Sequence, residues 1–319
     1  MKKSIQEIIT ERFTKALDEG TIPWRKPWNT CNILNQSLFN MGKAYRGINQ
    51  LLTWTMAYES PYWGTYKQYS EVGANVKAGE RALPIVFFKF LESKTKVDSK
   101  GRPVKIPLMR YFSVFNVSQV ENLKIDQAKL FPTRTNEFNP IERAEEIVKH
   151  NPKACPIEYG HQRACFFPSH DKIQMPSKES FKSPEEYYAT LFHELIHSTG
   201  HESRLDRKST NKDEFNEYDH RYSFEELVAE IGSAFLCAEI GISQAVLENQ
   251  AAYIQNWSKV LKKDAGMVIK AAQQAQKAVD FILNKNATEY MAEVLDNGES
   301  QANTTPTEDN KEGELKQAA

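Results

Sequence analysis

At 319 residues the chain is long enough for two domains, and with 40% hydrophobic and 26% charged residues it can fill a core and keep a polar surface. No run approaches the roughly 18 apolar residues of a membrane span, the opening MKKSIQEIIT lacks the apolar stretch of a secretory leader, and the scattered Cys31, Cys155, Cys165 and Cys237 exclude a disulfide scaffold or CxxC site, so a reducing, cytoplasmic setting is expected. The net charge of −1 hides an asymmetry: residues 1–125 carry 19 Lys and Arg against 10 Asp and Glu, while residues 126–319 carry 22 against 32, the layout expected when only the first region approaches a polyanion.

Ser4 to Leu17 has apolar residues at helical spacing, with Ser4 and Glu7 set as a capping box and Gly20 as the stop. TIPWRKPW follows, where Trp24 and Trp28 flank Arg25 and Lys26. Indoles can stack on bases while the cations hold phosphates; the alternative is a loop whose tryptophans cap a core. MGKAYRGINQ adds Lys43, Tyr45 and Arg46, and Ile48 to Tyr58 reads as a helix. SPYWGTYKQY then interleaves Trp63, Tyr66 and Lys67. Pro84 to Phe90 is a strand, LMRYFSVFNVSQV its partner, and the basic LESKTKVDSKGRPVK a hairpin loop between them. Aromatics mixed with cations suit single-stranded nucleic acid, whose unstacked bases are open to rings. A small mixed α/β nucleic-acid-binding domain is therefore expected over residues 1–125, with a polar, proline-containing linker over 126–140.

FKSPEEYYATLFHELIHSTGHESRLDR reads as a helix started by Ser183 and Pro184. His193 and His197, four residues apart, project from one face and can hold one zinc ion. Glu194 can reach a water at the open metal position and serves as general base and later proton donor. A catalytic site needs a third ligand. Position 203 is Ser203, so the HxxGxxH spacing fails, and His201, two residues early, is read as a group behind the ligands, a substrate contact or a solvent-facing side chain, with direct ligation the lesser alternative.

The acidic start of YSFEELVAEIGSAFLCAEIG supplies better candidates. Glu226 and Glu230 lie one turn apart, with Glu226 read as the ligand and Glu230 as acceptor for a ligand histidine's second nitrogen. Glu225, about 100° around the helix from Glu226, is read as solvent-facing or capping. The bland alternative for all three is helix-start charge. In NQAAYIQNWSKVLKKD, Tyr253 can steady an oxyanion or belong to the core. Gly266 to Leu283 is a last helix, Cys237 a core thiol, and residues 286–319, with eight acidic and two basic residues, a disordered tail. A mainly helical domain over 141–285 makes the whole chain α+β.

PWRKPW, GKAYRGIN, WGTYKQY and VGANVKAGERA, followed in order by MPSKESF, YYATLFHELIHSTGHESRL and EELVAEIGSAFL, resemble the ArdC-type antirestriction proteins of plasmids and mobile elements over about residues 1–285. The resemblance implies an amino-terminal domain that binds single-stranded DNA and a carboxyl-terminal zincin-like metallopeptidase domain protecting incoming DNA from restriction. EELVAEIG also resembles the glutamate-ligand segment of thermolysin-like enzymes, with Glu226 as ligand and Glu230 in the supporting place, where those sites usually carry Asp. Two functions follow: a DNA-targeted protease acting on a protein substrate, or a DNA-binding protector whose zinc domain is structural.

Overall fold

The computed structural model describes residues 3–24, 34–40, 43–97, 101–131, 139–207, 220–242 and 250–285, with side chains described except at 88–94, 104–109, 127–128, 140, 220–222 and 250–254. The expected tail, 286–319, lies outside them. Helices and sheets are mixed, as expected, and no described helix is long and apolar enough to cross a membrane.

Helix α1 (Ile5–Asp18) starts at the expected capping box, with Ser4 Oγ accepting the Glu7 N–H at 3.2 Å and Glu7 Oε2 accepting the Ser4 N–H at 2.7 Å. Strand β1 (Gln36–Ser37), helix α2 (Ile48–Trp54), β2 (Tyr62–Thr65), α3 (Tyr66–Glu71), β3 (Asn75–Val76), β4 (Leu83–Val97), β5 (Pro103–Asn116), β6 (Val120–Glu121) and α4 (Gln127–Leu130) follow. Helix α2 stops short of Tyr58, where Ala57 turns to a positive φ of 58°. The first sheet runs β1-β2-β5-β4, with Trp63 opposite Asn116 across the antiparallel β2–β5 pair. Strands β4 and β5 run through most of the segment expected as a loop, where Thr95, Val97 and Val104 bring β-branched preference to a polar stretch. Gly64 is required in β2, since a Cβ would sit 2.7 Å from the Phe39 ring and 2.9 Å from that of Tyr69.

The chain forms two compact units, a main body of Met1–Ile85 with Tyr111–Lys285 and a second containing Val86–Arg110. In the main body the later elements are α5 (Pro140–His150), β7 (Ile157–Tyr159), β8 (Cys165–Phe167), β9 (Lys172–Met175), α6 (Pro184–Thr199), α7 (His220–Ile240), α8 (Gln250–Lys263) and α9 (Met267–Ile282). Strand β9 is central, parallel to β7 and antiparallel to β8. Helix α6 lies against β8 and β9 on one side and α7 and α9 on another.

The apolar stripe of α1 (Ile9, Phe13, Leu17) is covered by α8. Thr10 Oγ1 donates to Ala265 O at 2.7 Å, and Asp18 accepts from Ser258 Oγ at 2.6 Å and Lys262 Nζ at 2.9 Å. Helix α2 docks on α9, where Gly47 N–H donates to Gln276 Oε1 at 2.9 Å and Arg46 Nη2 pairs with Asp280 at 2.5 Å. The boundary read at 126–140 therefore separates regions of opposite charge that pack into one body. Residues 132–138 of that segment lie outside the described ones, and α4 before them buries Leu130.

Two residues assigned to nucleic acid, Trp24 and Trp63, are corrected by this packing. Trp24 is fully buried, edge-on to Trp257 with ring centroids 5.7 Å apart, and Trp63 is fully buried beside Tyr58. Arg46 pairs with Asp280 and keeps part of its side chain exposed. The motifs read as binding loops because cations adjoin the aromatics, yet the rings satisfy the larger demand of covering α8 and the sheet.

Candidate metal centre

Ser183 caps α6, accepting the Glu186 N–H at 3.2 Å, with Pro184 in the first turn and Glu185 and Glu186 at the positive end of the dipole. Two turns in, the 3.6-residue repeat stacks His193 over His197, ring centroids 4.7 Å apart and Nε2 atoms 3.1 Å apart. Glu226 on α7 closes the triangle: its Oε2 lies 3.5 Å from His193 Nε2 and its Oε1 3.5 Å from His197 Nε2.

These three donors fit a metal ion. Around a tetrahedral ion with bonds of about 2.0–2.1 Å, neighbouring ligand atoms stand about 3.3 Å apart. The imidazole nitrogens at 3.1 Å approach that value, each nitrogen has a different Glu226 oxygen at 3.5 Å, and one ligand atom from each residue keeps all three within 4.8 Å. Burial pushes the Glu226 carboxyl up, but the facing His197 and His193 outweigh it and hold it well below the usual carboxylate range. The His197 side chain is 1% exposed, against 21% for His193 and 22% for Glu226, so the cluster opens to solvent on one side.

Glu194 is buried, and its Oε2 accepts the backbone N–H of Phe166 on β8 at 2.7 Å. That bond ties the helix to β8, an edge strand of the β7-β9-β8 sheet, and leaves Oε1 for other partners. The close approach of α7 depends on Gly232, whose Cβ would lie 2.7 Å from the Ile196 side chain.

One assignment is overturned. The carboxylate facing His197 Nδ1 belongs to Glu225, at 3.4 Å, and not to Glu230. Glu225, read as solvent-facing, is wholly buried and paired with Arg207. An imidazole has nitrogens on two edges, so residues 100° apart on α7 can engage the same ring from either side. Burial raises the Glu225 carboxyl, but Arg207 and His197 bring it down to about 2. Sequence reasoning misses Arg207 altogether. Its only signal there is an arginine in a loop otherwise committed to turning a helix end.

His201 stands apart from the ligand set, with Nδ1 accepting the Ser203 N–H at 3.2 Å and its ring edge-on to Phe166. The Tyr253 side chain, and Arg25, Lys26 and Trp28, lie outside the described residues. Lys43 and Tyr45 are half-buried. Tyr66 is 60% exposed, and Lys67 is exposed beside Glu71 at 3.8 Å.

Comparison with known proteins adds the relationships. Residues 3–115 match the family described as the N-terminal domain of anti-restriction factor ArdC, and residues 142–274 match a zincin-like metallopeptidase family. A DNA primase TraC of Escherichia coli is 37% identical over 304 residues, covering 89% of this chain and 27% of TraC, so the chain spans about a quarter of that relative. The uncharacterized protein y4eC of Sinorhizobium fredii is 31% identical over 289 residues, 87% of this chain and 91% of y4eC. Among solved structures, the antirestriction protein ArdC of plasmid R388 matches in its metal-free form at 35% identity and a TM-score of 0.68, covering 88% of this chain and 97% of that one. Its Mn(II)-bound form matches at 34% identity and a TM-score of 0.69, covering 88% and 98%.

Proposed function

The chain belongs to the ArdC antirestriction family, and on that footing we propose that it protects incoming DNA by binding single strands and by cleaving a protein substrate at a divalent-metal centre. The observation that carries the peptidase half is the convergence of His193, His197 and Glu226 within 4.8 Å, next in sequence to a carboxylate with one oxygen already anchored. Two imidazoles and a carboxylate suit zinc, and the donor set also accepts manganese. When bound, the ion supplies Lewis acidity to a water and a peptide carbonyl.

The chain's own residues do the rest. His193, His197 and Glu226 would hold the ion. Phe166 N–H keeps Glu194 Oε2 in place, so Oε1 takes the proton of the attacking water and delivers it to the leaving nitrogen. Glu226 stays ionised between the imidazoles. Tyr253 and His201 remain candidates for contacts with the reacting carbonyl or the substrate.

For nucleic acid, support comes from exposed Tyr66 and Lys67 and, separately, from residues 86–110, which hold seven basic and two acidic residues. Lys96, Arg102 and Arg110 there are exposed. Stacking and phosphate contacts of this kind are tolerant of sequence. The test compares wild type with Glu194→Ala for metal content and for protection of transferred DNA. Lost protection with metal retained is expected; full protection by Glu194→Ala would leave a binding-only protector.

A further inference from the structure

The segment after α6 doubles back under the helix end. Leu205 N–H donates to Thr199 O at 2.9 Å, Asp206 N–H to His201 O at 3.1 Å and Arg207 N–H to Gly200 O at 2.9 Å, with Asp206 turned to a φ of 48°. This return drives Arg207 inward until its side chain is 4% exposed. Its guanidinium meets two structures there. Nη1 donates to Thr199 Oγ1 at 2.7 Å and Nη2 to Ile196 O at 2.8 Å, placing a cation on the carbonyl end of α6. Nε and Nη2 also grip Glu225 through both oxygens, at 3.1 and 2.6 Å. Glu225 Oε1 is the atom that faces His197 Nδ1.

A buried ion pair contributes little net stability, because desolvation cancels most of the attraction, and well-packed apolar residues of similar size serve as well or better. The pair's stability value therefore does not account for its place. Its position does. Arg207 aligns the Glu225 carboxylate, and an ionised carboxylate only accepts, so His197 must carry its proton on Nδ1. Nε2 is then the atom left to ligate a metal ion, 3.1 Å from His193 Nε2. We propose that the Arg207–Glu225 pair is a positioning device that fixes the tautomer and ring orientation of His197 for metal binding. Arg207 belongs to the same device because it ties the carboxylate to the helix that carries the imidazole. The proposal rests on the metal-centre reading above.

The test uses the full chain with Zn2+ and with Mn2+ as probes. The dissociation constant is measured by chelator competition for wild type and for the Arg207→Met/Glu225→Leu double variant, which removes both charges together so that neither is left buried without the other. The double variant is expected to melt at or above the wild-type temperature and to bind either ion about 10–100-fold more weakly. Unchanged affinity in a folded double variant overturns the positioning role and leaves the metal centre intact. A wild type that binds neither ion overturns the metal-centre reading and the proposal with it. Should the double variant fail to fold, nitrogen-15 chemical shifts of His197 in the metal-free wild type decide. Protonation at Nδ1 is expected, and a predominant Nε2–H form overturns the proposal.

Discussion

At the scale of single residues, the chemistry rests on how few atoms must be right. His193, His197 and Glu194 are legible in the sequence because a four-residue spacing on a helix leaves little freedom in where side chains point. Glu226 is legible for the same reason, as an acid in an apolar helix that needs a partner. Glu225 is not, because reading helical faces treats each ligand as a point, whereas an imidazole is approached from two edges. Its buried carboxyl carries a pH signature. The folded value of about 2 lies below the unfolded value of about 4.3, so its contribution to stability is complete above pH 4.3 and is lost as pH falls through about 2. Urea midpoints followed from pH 5 to pH 2 are expected to fall more steeply for wild type than for Arg207→Met/Glu225→Leu. Parallel curves would show that the pair is not ionised in the fold.

At the scale of elements, the cluster of His193, His197 and Glu226 is a product of helix spacing. Helices α6 and α7 approach closely enough for Glu226 to reach both imidazoles because Gly232 presents no Cβ to Ile196. Gly232→Ala sets a methyl 2.7 to 3.0 Å from three atoms of that side chain, an overpacking that costs about 1–3 kcal/mol. Chemical denaturation is expected to show that loss, and chelator competition a weaker affinity for metal, with Ile196→Val restoring part of both. Wild-type affinity in Gly232→Ala would mean that Glu226 does not depend on this spacing. Helix α1 and its capping box are readable from local pattern, as is α6. The partners of these elements are not, since periodicity identifies an apolar face without naming what covers it. That is why Trp24, read as a platform for bases, closes the seam with α8.

At the scale of the whole molecule, opposite charges on the two sequence regions coexist with intimate packing, through α1 on α8 and α2 on α9. The charge asymmetry is visible from composition, and the docking is not, because it depends on pairs such as Arg46 with Asp280, separated by most of the chain. If residues 86–110 carry the single-strand affinity, Lys96→Glu/Arg102→Glu should weaken it and flatten its dependence on salt, by about 0.7 in logarithmic slope for each phosphate left without its cation. Fluorescence anisotropy across a salt series reads both, and an unchanged slope would move the binding surface elsewhere. The central claim is that three side chains from two helices hold one metal ion, with Glu194 free to work beside it. Metal titration of wild type, Glu194→Gln, His193→Ala and Glu226→Ala addresses it directly. One ion per chain is expected in the first two and loss of tight binding in the last two. Undiminished binding by Glu226→Ala would contradict it.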